Sequence, residues 1–424
     1  MESVKTNEFL GENLHTKQLS SGIKCYIIPK CGYAQMQAAV AVNFGSADYA
    51  FKLGNEVRKF PAGIAHFMEH KLFEGKKESV FEQFTKNGAD VNAFTNFTNT
   101  AYYFSCTDNF ANNLRLLLHF VQNPYFTEAN VNKEKGIIIQ EINMYKDDPL
   151  WACYQNLLSA MYFNSPVTSD IAGSEQSVNS ITADMLEDCY SLFYNPPQMA
   201  VICAGGFDIN EVYDIIEKYV SPKVDIPEIT RCYGEEKEPR HVRQREVTAK
   251  TQIAAPLFNI GFKDIADWQN PIKNLAAGKL LIDLIAGEGS NLYEKLYAQN
   301  LADASFYVQY TAGTFFAYTM LSGFSENPHK VNELLLNEIR KYAQNGISSG
   351  DFIRLKQKHT GRLRMVFNSI HAITQAQIDF FSKKADLFDL LTEYENLTLN
   401  DVNEKLAAHL VEGANALSIV KGTQ

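Results

Sequence analysis

Pro61-Ala62-Gly63-Ile64-Ala65-His66-Phe67-Met68-Glu69-His70-Lys71-Leu72-Phe73 is the stretch on which the reading of this chain turns. A proline near its start favours helix initiation, and positions 66, 69 and 70 then fall at i, i+3 and i+4 on one helical face. Two imidazoles one turn apart suit a tetrahedral zinc ion. A glutamate beside them can take a proton from zinc-bound water, whose pKa the metal lowers to about 7. His-x-x-Glu-His is the inverted relative of His-Glu-x-x-His, and the chain has nine histidines from which to build it. The bland alternative is a surface helix whose His and Glu are solvated, or a satisfied helical histidine pair; Phe67 and Met68 read as core contacts in either case. The full pattern predicts instead a metal held by His66 and His70 with Glu69 as general base.

Two histidines leave zinc short of a third protein ligand, so a second helix should present a carboxylate. The stretch Glu134 to Tyr145 reads as that helix: Glu134 and Glu141 stand two turns apart on one face, while Ile137 and Ile138 turn towards a core. Either glutamate could ligate, and the other could orient His70 or its partner.

The rest of the composition narrows the chemistry. Seven cysteines, with no Cys-x-x-Cys pair, argue against a disulfide framework and a thiolate metal site and fit a reducing compartment. The formal net charge of −10, without a basic stripe, argues against nucleic-acid binding. No run approaches the roughly 18 apolar residues of a membrane span, and Met1 to Leu14 has no signal-peptide pattern, so the expected location is cytoplasmic.

Runs of β type open the chain at Lys24 to Ile28 and Gln37 to Val42, and Met199 to Cys203 closes its first half. From Ser221 to Thr248 the text turns charged and proline-containing, which predicts an interdomain linker with a boundary near Lys237. The second half of the chain repeats the plan of the first. Phe44 to Asp48, a helix, a strand pair and a Leu-rich helix recur as Phe262 to Asp267, the helix Asn274 to Ala286, strands near Phe306 to Tyr310 and Phe315 to Leu321, and the helix Val331 to Tyr342. Where the first half has His66-Phe67-Met68-Glu69-His70, the second has Leu280-Leu281-Ile282-Asp283-Leu284. The expectation is two similar α+β domains, 1–222 and 248–424 joined by 223–247, with one metal site in the first.

Gly63 to Gly75, Gly88-Ala89-Asp90-Val91-Asn92-Ala93-Phe94-Thr95, Glu134 to Glu141 and Asp170-Ile171-Ala172-Gly173-Ser174 occur in an order that resembles the pitrilysin and insulinase family of zinc metallopeptidases. The likeness is to short two-domain bacterial, processing-peptidase-like members. It implies α+β domains of LuxS/metallohydrolase-like type, each a mostly antiparallel sheet packed with helices, together forming half of a clamshell. By the same resemblance one Zn2+ per chain is held by His66, His70 and Glu141. Glu134 stands behind the ligands, Glu69 is the catalytic base, and Asn92, Ala93 and Phe94 are the substrate-holding strand. Read on its own, this hairpin offers an edge strand that could bind an extended peptide, or an aromatic core element.

The resemblance breaks in the second domain. Active relatives present an Arg and a Tyr there, whereas this chain has Tyr297 and Asp303 in the corresponding places. The expectation is therefore an endopeptidase working in a closed chamber as the metal-bearing subunit of a heterodimer, whose homologous partner supplies the Arg and Tyr; a homodimer is the second choice. The competing reading is a non-catalytic assembly subunit that keeps the fold. The retention of all four site residues speaks against that. A small-molecule zinc hydrolase is a third reading, which the Asn92 to Thr95 strand disfavours.

Overall fold

A computed structural model describes residues 2–75, 79–234, 238–267 and 269–422. The boundary expected near Lys237 lies outside the described residues. Contacts divide the chain into two compact units: Met1–Ile142, Ser169–Cys232 and Arg364–Phe388 form one, and Asn143–Thr168, Tyr233–Leu363 and Asp389–Gln424 the other.

The first unit holds strands β1 (Glu2–Asn7), β2 (Glu12–Gln18), β3 (Lys24–Pro29), β4 (Met36–Val42), β5 (Ala50–Leu53), β6 (Glu56–Lys59), β7 (Ala89–Thr95), β8 (Thr100–Cys106), β9 (Met199–Gly205) and β10 (Ile229–Arg231). Seven of them make one sheet in the order β1-β2-β3-β9-β4-β8-β7. Every neighbouring pair is antiparallel except β3 and β9. The central strands β4 and β9 are almost wholly buried, which is why they read as continuous apolar runs rather than alternating ones. The smaller sheet β10-β5-β6 is fastened by Arg231, whose Nε donates to the fully buried Asp48 at 2.8 Å.

The second unit holds β11 (Glu246–Thr251), β12 (Leu257–Asp264), β13 (Tyr307–Ala312), β14 (Ala317–Phe324) and β15 (Asn415–Gly422). Its sheet order is β11-β15-β12-β14-β13, with β11 and β15 parallel and the rest antiparallel. This reproduces β3-β9-β4-β8-β7 strand for strand, including the position of the parallel pair. Both units are therefore α+β, as the repeat in the sequence implies.

The compact units are not consecutive halves of the chain. The helix Pro149–Met161 comes after the first eight strands in sequence yet packs on β11, β12 and β15, and the helix Ile370–Ser382 packs on β4 and β9. Each repeat thus lends its corresponding helix to the other repeat's sheet. An apolar helix face records that it must be buried but not against which sheet, so periodicity alone leaves this exchange open.

Candidate active site

The motif helix runs Ile64–Leu72 and begins after Gly63, whose φ of 90° suits a residue without a side chain. A Cβ there would lie 2.3 Å from the carbonyl oxygen of Ala172, and one on Gly173 would lie 2.4 Å from that of Ala62. The Asp170 to Ser174 segment and the start of the motif helix are thus in backbone contact, which explains physically why both are glycine-bearing. Ile64, Ala65, Phe67 and Met68 are buried in the first unit's core and hold the helix against the sheet.

That anchoring aims the opposite face at the helix Glu128–Lys146. His66 Nε2 lies 3.6 Å from Glu141 Oε1, and His70 Nε2 lies 3.4 Å from Glu141 Oε2. One ligand atom from each of the three residues falls within 4.8 Å of the others. Ligands at about 2.0–2.1 Å around a tetrahedral zinc sit roughly 3.3 Å apart, so the separations to Glu141 match a shared ion. Glu134 does not join the cluster. Its Oε1 lies 3.0 Å from His70 Nδ1, where it fixes the ring and turns Nε2 towards Glu141. His66 Nδ1 is buried without a partner among the described residues.

The electrostatics fit a cation. Burial presses His70 down, but hydrogen bonds to Glu134 and Glu141 outweigh it and raise its pKa to about 9. Burial, with His70 alongside, lowers His66 to about 4. A divalent ion at His70 Nε2 would take the place of a proton facing Glu141, while the Nδ1 side of the ring stays with Glu134. Burial also raises the Glu69 pKa, against the opposing hydrogen bond from Thr95. A carboxylate whose pKa is raised by burial holds a transferred proton more readily.

Glu69, His70, Phe73, Ser79, Asn92, Ala93, Lys133 and Glu134 line one cavity of about 580 Å³. β7 forms an edge of the sheet, so part of its main chain is open to a further strand. Of the residues expected to hold substrate, Asn92 and Ala93 line this cavity. Phe94 is not among its lining residues; its ring lies 6.3 Å from that of Tyr103. In the second unit, Tyr297 is 62% exposed on the helix Asn291–Ala298, and the Asp303 carboxylate accepts from the Ser305 backbone N–H at 2.8 Å. The residue that sequence reading left without a role is Thr95, whose Oγ1 donates to Glu69 Oε2 at 2.6 Å. Strand alternation is the available signal, since Thr95 shares a face with Ala93.

Residues 36–175 match the profile of the insulinase domain, peptidase family M16, and residues 180–358 match that of the peptidase M16 inactive domain. Over 426 residues, spanning 98% of this chain and 97% of the other, the chain is 36% identical to a Bacillus subtilis (strain 168) protein named uncharacterized zinc protease YmfH. The M16-like protein crystallised from Alicyclobacillus acidocaldarius aligns with a TM-score of 0.93 at 33% identity, over 97% of this chain and 99% of that one. A shorter match, 27% identical over 180 residues, covers 40% of this chain and 37% of the beta subunit of mitochondrial-processing peptidase from Rattus norvegicus.

Proposed function

The chain belongs to the insulinase family of peptidases, M16, and from that premise we propose that it is a zinc-dependent endopeptidase acting on peptides or small unfolded polypeptides. The observation that carries this reading is the convergence of His66 Nε2, His70 Nε2 and the Glu141 carboxylate, with Glu69 beside them in a cavity bordered by an edge strand. Zinc in such a site supplies a Lewis acid and brings water towards ionisation near neutral pH. The chain's own residues do the rest. Glu69 receives the proton of the attacking water and passes it to the departing amine. The edge of β7 near Asn92 and Ala93 pairs with an extended peptide main chain, which selects for conformation more than for side-chain identity. Glu134 keeps His70 in the tautomer that presents Nε2.

The substrate-gripping Arg and Tyr are the parts this chain lacks, with Tyr297 and Asp303 in their places. A homologous second chain that supplies them and completes a closed chamber is the simplest remedy, so the working enzyme is a heterodimer with one zinc in this subunit. Among the described residues no helix is long and apolar enough to cross a membrane. A cytoplasmic site of action fits the seven free cysteines.

The test is cleavage of a quenched fluorescent peptide library by the purified chain, with and without chelator, beside a Glu69→Gln variant of known metal content. Chelator-sensitive cleavage that the variant loses while retaining zinc supports the peptidase and removes the need for a partner. Zinc bound without cleavage points to the missing partner. Absence of zinc overturns the metallopeptidase reading in favour of a structural subunit.

A further inference from the structure

Thr95 closes β7 one residue before a tightly tied turn. The Asn96 side-chain oxygen accepts the backbone N–H groups of Thr98 at 2.8 Å and Asn99 at 2.9 Å. The backbone of the turn also receives Ser46 N–H at 2.9 Å, on Asn96 O, and Ala47 N–H at 3.1 Å, on Phe97 O. These bonds leave the end of β7 little freedom to move, and the position of the Thr95 hydroxyl is set with it.

That hydroxyl has two neighbours. Thr100 Oγ1 is 3.2 Å away and Glu69 Oε2 is 2.6 Å away. Thr100 in turn lies 2.9 Å from the carbonyl oxygen of Phe44, an acceptor with no hydrogen to give, so the Thr100 hydrogen is directed there. The single Thr95 hydrogen goes to the shorter contact, the carboxylate. Among the described residues, Glu69 Oε2 therefore has a fixed donor, and Oε1 has none.

We propose that Thr95 is a positioning residue for the general base, pinning one oxygen of Glu69 so that the other is held ready to take a proton. This rests on the peptidase reading above. Glu69 has three rotatable side-chain bonds, and proton transfer requires its oxygen within hydrogen-bond reach of the water. One charge-assisted bond from a rigid strand end removes that freedom before substrate arrives. A place in the cavity wall alone would not choose which oxygen faces the reaction.

The test loads the full chain with cobalt(II), whose visible spectrum reports the ligand field, and tracks that spectrum against pH for wild type, Thr95→Val, Thr95→Ser and Glu69→Gln. Loss of the Thr95 donor destabilises charged Glu69, so Thr95→Val should raise the midpoint by about one pH unit. Cobalt content should stay at the wild-type level, and Thr95→Ser should restore the midpoint. Wherever peptide cleavage is measurable, Thr95→Val should lower kcat by about 10- to 100-fold with KM little changed. Should Thr95→Val fail to fold, Thr95→Ala replaces it. A midpoint moved by Glu69→Gln but untouched by loss of the Thr95 hydroxyl overturns the proposal. A wild-type chain that takes up neither cobalt nor zinc overturns the metallopeptidase reading itself, and a midpoint indifferent to Glu69→Gln removes Glu69 from the base role and Thr95 with it.

Discussion

The five-stranded sheet of the second unit repeats the order and the single parallel pair of five strands in the first unit's larger sheet, yet the corresponding helices carry opposite chemistry. In the first unit the motif helix offers His66, Glu69 and His70, and the facing helix answers with Glu134 and Glu141. In the second unit Leu280, Asp283 and Leu284 stand on the corresponding helix, Pro271–Ala286, and the helix Ser349–Val366 answers with Lys358 and His359. Lys358 Nζ lies 2.9 Å from Asp283 Oδ1, and His359 Nε2 lies 3.0 Å from Asp283 Oδ2. One carboxylate held by two basic groups is an internally neutralised cluster. In the first unit, two carboxylates face two imidazoles and a third, Glu69, lies in the same cavity with Lys133. A shared scaffold thus does not by itself bring together groups able to hold a metal ion; the side chains that the two facing helices carry do.

The largest expected effect tests the catalytic half of this comparison. Glu69→Gln should lower chelator-sensitive cleavage by about 10²- to 10⁴-fold with metal content unchanged. Equal activity in the variant would place the base elsewhere. Next, Glu134→Gln should weaken zinc binding by about 10- to 100-fold, measured by competition with a chromophoric chelator, because the bond that orients His70 loses its carboxylate charge. In the same assay Asp283→Asn should leave stoichiometry at one zinc per chain. A second zinc, or one lost with Asp283, would break the contrast between the units.

Smaller effects concern stability. Asp283→Asn leaves Lys358 and His359 short of their counter-charge and should destabilise the second unit by about 2 kcal/mol in denaturant unfolding. Burial pushes the Asp283 carboxyl up, but hydrogen bonds from His359 and Lys358 outweigh it and hold its pKa at about 2, below the ordinary 3.8. A depressed carboxylate stabilises the fold fully above its unfolded pKa and loses that contribution as pH falls through the folded value. Wild type should therefore lose an increment of stability between about pH 4 and pH 2, and the Asp283→Asn variant should show a flatter acid limb over the same window. Parallel acid limbs in the two proteins would show that the pair does not couple to folding.

Much of the site was legible because it is built on helical spacing. His66, Glu69 and His70 share a face by periodicity alone, and Glu134 and Glu141 share another. Spacing did not distinguish which glutamate approaches both imidazoles, since both occupy the same stripe; the distances to His66 and His70 place Glu141 there and Glu134 on His70 Nδ1. The edge position of β7 was legible as a possibility, whereas the separation of Phe94 from Asn92 and Ala93 was not. Alternation assigns faces, but it does not say where a cavity ends.

By itself the sequence determined the elements, their duplication and the chemistry carried by one helix, because hydrophobic period and motif spacing act between residues close together along the chain. Tertiary structure alone decided which sheet each exchanged helix covers, how far each carboxylate stands from the imidazoles and which hydroxyl meets Glu69. Those contacts join residues far apart in sequence, and their geometry comes from the packing of whole elements rather than from any local pattern.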